Sequence, residues 1–147
     1  MVVVARPDVL AAVLAQLRAS AELTALTSTR ITARLQPSWS GMPTYAVLVR
    51  PAGGPPGNRQ VNLMVSRIDT FCYGATEAQA ASLWRLLDAV LCPGQEREVG
   101  FIRTVDGVRC RVASVDPESM PTSGIEDGTR WPRTTCSYLV RWLGVAL

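Results

Sequence analysis

The stretch that most restricts the fold is residues 67–91, "RIDTFCYGATEAQAASLWRLLDAVL". Ile68, Thr70, Phe71 and Tyr73 among its first seven residues are β-branched or aromatic and suit a strand. After the glycine at 74 the apolar period changes to that of a helix, with Ala80, Leu83, Trp84, Leu87, Val90 and Leu91 on one stripe. Thr76 followed by Gln79 forms a capping box that opens the helix, and the Pro93-Gly94 pair closes it. A strand therefore runs straight into a helix, and the rest of the chain must form a sheet around that unit.

Other elements follow from the same rules. "PDVLAAVLAQLR" at 7–18 places Leu10, Val13, Leu14 and Leu17 on one helical face, with Pro7 assigned to the first turn and Asp8 near the positive end of the dipole. Residues 20–27 add a helical turn capped by Ser20, with Leu23 and Leu26 facing inward. "TYAVLVR" at 44–50 and residues 61–73 read as strands, and "PAGGPPGNRQ" between them reads as a loop or arm, since proline removes donors from a ladder. "EVGFIRTVDGVRCRVASV" reads as a hairpin turned at Asp106-Gly107. Residues 116–132, rich in Pro, Gly and Ser, read as one long connection of the functional or disordered kind. The final strand spans roughly 133–143, with Cys136, Tyr138, Val140 and Trp142 alternating onto one face.

The order predicts one α+β domain over 1–147: a largely antiparallel sheet with two main helices on one face. Hydrophobic residues make up 48% of the chain and eleven glycines add to them, slightly above the ~45–50% usual for the two together. Phe71, Cys72 and Tyr73 put apolar groups on both faces of a strand, and Leu139, Leu143 and Val145 lie opposite Tyr138 and Trp142. Two helices cover one face only, so the second face is filled either by aromatic and loop residues of the same chain or by another copy. Trp39 and Trp131 stand in predicted loops, where each is either a partner-buried anchor or a plug for its own core.

Chemistry is constrained by what is missing. The chain has no histidine, and all fifteen of its basic residues are arginine. Nucleophile systems built on Ser-His, Cys-His or Ser-Lys are thereby excluded. Carboxylate pairs remain at Glu96 and Glu98, Asp116 and Glu118, and Glu126 and Asp127, all in turns or at strand ends where acids are ordinarily solvated. "PAGGPPG" lacks the lysine and spacing of a phosphate loop. The arginines are interspersed with twelve acids, for a net charge of +3, and form no basic stripe for a nucleic-acid backbone. Cysteines 72, 92, 110 and 136 are too widely spaced for a zinc or redox motif and read as core thiols in a reducing compartment. "MVVVARPDVL" has too short an apolar run for a signal peptide, and no stretch reaches the ~20 apolar residues of a membrane span. No catalytic, cofactor-binding or metal-ligating residues are assigned, and an enzyme is not expected.

Read in order, "AELTALTSTRI", "MPTYAVLV", the 67–90 unit and "WPRTTCSYLVRW", after the N-terminal amphipathic helix, resemble the tail terminator (tail completion) proteins of long-tailed double-stranded DNA bacteriophages. The resemblance runs over nearly the whole chain and departs from the family at 51–60 and 116–132. It implies a ring, hexameric in the family, at the head-proximal end of the tail tube in the virion, assembled in the bacterial host's cytoplasm. The implied partners are further copies of the chain, the tail tube protein and the head–tail connector or head-completion protein, with double-stranded DNA passing through the lumen without specific binding. Neither a cofactor nor a membrane is implied. The loops at 51–60 and 116–132 are then expected to reach neighbours, with Trp39, Arg59, Phe71, Tyr73, Ile125 and Trp131 as interface residues. The alternatives are a head-completion or connector protein at the same junction and, in another class, a small hydrolase using carboxylates alone.

Overall fold

A computed structural model of the chain describes residues 6–34, 44–54, 62–93 and 100–144. Two helices come first, α1 (Val9–Arg18) and α2 (Ala21–Thr27), followed by the short strand β1 (Ile31–Thr32), β2 (Ala46–Pro51) and β3 (Leu63–Tyr73). Then come α3 (Glu77–Leu91), β4 (Phe101–Val105), β5 (Val108–Pro117), β6 (Thr122–Ile125) and β7 (Pro132–Leu143). The strands form one sheet in the order β1-β2-β3-β7-β5-β4, with β6 pairing β7 beside β5. The β1–β2 pair is parallel and every other pair is antiparallel. This is the expected α+β architecture, with a third, short helix added to the two main ones.

The helix starts obey local chemistry. Asp8 and Ser20 are N-caps whose side-chain oxygens accept from the amides of Ala11 and Leu23. Pro7 thus precedes the first turn, where it was expected to lie, because Asp8 takes the cap. At α3, Thr76 accepts from the Gln79 amide and the Gln79 carboxamide accepts from Ala75 N–H, each at 3.1 Å. Gly74 makes the strand-to-helix turn possible, since a Cβ there would stand 2.7 Å from the Ala80 nitrogen. The β4–β5 turn uses Asp106 and Gly107 at φ 51 and 77, the left-handed values a two-residue hairpin requires.

The principal core lies between the helices and one face of the sheet. Leu17, Leu23, Leu83 and Leu87 are fully buried there against Val47, Ile68, Tyr138 and Val140. Polar groups inside it are tied down: Trp84 Nε1–H donates to the Tyr138 hydroxyl at 2.9 Å, and that hydroxyl donates to Asp88 at 2.8 Å. α3 is thereby fixed to the middle strand by a chain of hydrogen bonds as well as by packing.

Residues 116–132 are not the structureless connection that their composition predicts. β5 runs antiparallel to β7 as far as Pro117 opposite Tyr138, and β6 resumes the same ladder with Thr122 opposite Thr135. Four residues on one side, 118–121, stand against two on the other, 136–137, so 118–121 form a bulge in one long interrupted strand. A turn through Glu126–Arg130 leads back to β7, with Glu126 N–H donating to the Trp131 carbonyl. The chain tolerates Pro117 and Pro121 because they flank the bulge, away from the middle of a ladder.

Candidate functional site

The sequence directs attention to the sheet face away from the helices. The β2–β3 and β3–β7 registers place Ala46, Leu48, Phe71 and Tyr73 together at one end of it. Trp131 closes over them, and its ring meets that of Tyr73 edge to face at 5.7 Å. Tyr73 is fully buried, and its hydroxyl donates to Glu126, which also accepts from Thr129 and Arg133. Burial and the nearby Glu126 carboxylate push the Tyr73 hydroxyl up to about 12. Phe71 is half-buried, with the Arg50 and Arg133 guanidiniums at 5.6 and 5.3 Å from its ring centre.

The other end of this face is polar. Arg67 forms a double hydrogen bond with Glu118, Arg141 pairs with Asp116 at 2.6 Å, and Ser137 donates to Asp69 at 2.6 Å. Leu63, Val65, Leu139 and Leu143 lie half-buried among them. The second face is therefore closed by the chain itself at one end and by arginine–carboxylate pairs at the other, which narrows the expectation that another copy must cover it.

Two of the six residues expected at an interface are buried within the chain. Tyr73 and Trp131 are spent on each other inside the chain, since a turn returning at 126–131 brings the tryptophan over the strand. Phe71 offers a neighbour only what the two guanidiniums leave uncovered. Ile125 is 49% exposed, as an interface residue should be. Trp39 and Arg59 lie outside the described residues. Of the two loops expected to reach neighbours, 116–132 is folded onto β7, and the start of 51–60 continues the sheet, with Ala52 N–H donating to the Arg67 carbonyl.

Two exposed side chains carried no flag in the sequence reading. Ile102 is 44% exposed and Met120 84% exposed; with Ile125 they are the large hydrophobics most open to water among the described residues. Ile102 was within reach: the two-residue turn fixes its register opposite Arg111, on the side away from buried Cys110 and Val112. Met120 had no such signal, because the bulge carrying it depends on a distant strand.

The reactive groups are held quiet. Burial pushes the Cys92 and Cys110 thiols up to about 12 and about 11, and raises Cys72 and Cys136 in the same direction. A thiol in that state is a poor nucleophile at neutral pH. Asp116, Glu118 and Glu126 are each engaged by an arginine, while Glu96 and Glu98 lie outside the described residues. Among the described residues no group of acids and cysteines could hold a metal ion, and every buried side-chain nitrogen or oxygen has a hydrogen-bond partner. No single described helix is long and apolar enough to cross a membrane.

Two grooves bear on the site. One of about 490 Å³ lies between α1, α2 and the end of α3, with Gln16, Glu22, Leu86 and Phe101 in its wall. Another of about 230 Å³ lies on the second face beside Asp69, Met120, Arg133 and Ser137, and in it the Ser137 hydroxyl donates to Asp69. No family model matches the chain, and no curated protein matches it.

Proposed function

We propose that the protein is a structural subunit of a bacteriophage virion, a tail-terminator-like component of a ring at the head-proximal end of the tail tube. The observation that carries this reading is that the resembling stretches fall on successive elements. "AELTALT" is α2, "AVLV" begins β2, the 67–90 unit takes in the later part of β3 and nearly all of α3, and "PRTTCSYLVRW" is β7 but for Leu143. They join a single α+β sheet, which is the architecture the resemblance implies. The inert thiols and arginine-bound carboxylates support a subunit that works by contact.

A ring of identical subunits needs two different surfaces on each copy, one meeting the next copy and one meeting the previous. Its remaining surfaces meet the tube below and the connector above. DNA passes through the lumen, where interspersed arginines and acids allow transit without retention.

The test is removal of the gene. Loss of a terminator leaves full heads and abnormally long tails. Normal tails beside leaking heads would assign the protein to head completion instead, and unaltered particles would remove it from the junction altogether.

A further inference from the structure

We infer that copies of the chain join head to tail, the β4 edge of one lying against the β6 edge of the next. This rests on the ring reading above and assigns the two surfaces that such a ring requires.

The starting point is where the chain leaves apolar side chains in water. Single exposed hydrophobics are ordinary, but here Ile102, Met120 and Ile125, at 44, 84 and 49% exposure, fall at two places only. Ile102 is in β4, which ends the strand order, and among the described residues β4 pairs β5 alone. Ile125 ends β6, which among the described residues pairs β7 alone, and Met120 stands in the bulge that leads into it. Each place thus combines an apolar side chain with a strand that has one partner. Such an edge is a template for a strand of another chain.

The places are too far apart to serve each other. Ile125 is opposite Pro132, while the β4–β5 hairpin leaves the sheet where Val112 is opposite Trp142. The two positions are ten residues apart on β7, on the order of 30 Å of strand. A neighbouring copy can bring them together.

Charge selects the pairing. The hairpin at 101–112 carries Arg103, which turns inward to donate to Gln16, together with Arg109 and Arg111 and one acid, Asp106, whereas 113–127 carries Asp116, Glu118, Glu126 and Asp127 and no basic residue. Arg67, Arg133 and Arg141 offset three of those acids from behind. Even so, the Asp116 side chain stays 58% exposed and Asp127 is exposed as well. Unlike edges therefore attract, and β4 against β4 sets arginines face to face. With strands of five and four residues, the edge contributes few main-chain bonds, so Ile102, Met120 and Ile125 carry much of the contact.

Two variants, each blocked on one surface, test this: Ile102→Asp on the β4 edge and Ile125→Asp on the β6 edge, examined by native mass spectrometry alone and as an equimolar mixture. Wild type is expected to assemble beyond a dimer, and each variant alone to associate at least tenfold more weakly. The mixture should give a dimer of one copy of each and nothing larger, because one intact surface of each kind remains. Arg111→Glu with Asp127→Arg repeats the design through charge, and circular dichroism confirms that every variant is folded. A mixture that stays monomeric, a wild type that never associates, or a variant that assembles like wild type overturns the inference. If wild type and both variants close the same ring, the assigned surfaces are wrong while the ring itself stands. The ring's place in the virion is decided by the gene-removal particles alone.

Discussion

Along β7 the even-numbered side chains from Cys136 to Trp142 are buried beneath the helices, whereas the odd-numbered ones from Thr135 to Leu143 stay half-exposed on the other face. The same strands thus build two unlike surfaces. Beneath the helices, aliphatic packing and a few satisfied hydrogen bonds form the core. On the other face one aromatic cluster closes an end, and arginine–carboxylate pairs lie among half-buried aliphatics, Leu63, Val65, Leu139 and Leu143, over the rest. Ion pairs open to solvent add little to stability. The ion-paired end of the second face can therefore be altered, or meet a partner, at small cost to the fold, whereas the helix-side core and the aromatic cluster cannot.

The largest effect that would break this contrast is on the helix side. Leu83→Ala empties a fully buried site on α3, and unfolding in urea should show a loss of about 4 kcal/mol. A loss below 1 kcal/mol would mean that this face is not the core. Trp131→Ala, the matching change on the open face, should cost about 3 kcal/mol. It should also expose Tyr73, seen as a rise in tyrosine accessibility to solvent perturbation, while near-ultraviolet signals from Trp84 and Trp142 persist.

Alkali sharpens the comparison. An unfolded thiol loses its proton near 9.0, but the fold holds the Cys110 and Cys92 protons to about 11 and about 12. Between those values the unfolded chain binds fewer protons, so stability falls as pH rises. The contribution is fully present below pH 9. Tyr73 on the open face adds to the fall from 10 up to about 12. The urea midpoint should be flat from pH 6 to 8 and decline above 9. Replacing Cys72, Cys92, Cys110 and Cys136 by alanine should delay that onset by about a unit, and an unchanged onset would detach it from the helix-side thiols. The smallest effect belongs to the open face: a double-mutant cycle on Arg67 and Glu118 should give a coupling smaller than either of the losses above, and one diminished by salt.

How much of this was legible in the sequence follows the range of the interactions concerned. The β3–α3 unit announces itself through a change of period, a capping box and a glycine, all within a few residues of one another. The Asp106-Gly107 hairpin does the same, and the alternation of β7 shows which side chains turn inward. Apart from Pro7, displaced by the neighbouring Asp8 cap, the failures are long-range. Nothing local in 116–132 indicates that β7 would offer an open edge to pair with, so a segment with turn-like composition reads as loop although it folds as strand. Tyr73 and Trp131 could each be identified as needing cover. That each covers the other depends on a turn which the sequence does not advertise. Met120 became visible only with the bulge.

The ring reading is tested most directly by labelling purified virions with an antibody against this chain and imaging them by electron microscopy. A terminator-like subunit gives label at a single position, where the tail meets the head. Label along the tail or over the capsid, or particles that carry none while infected cells contain the protein in quantity, would contradict it.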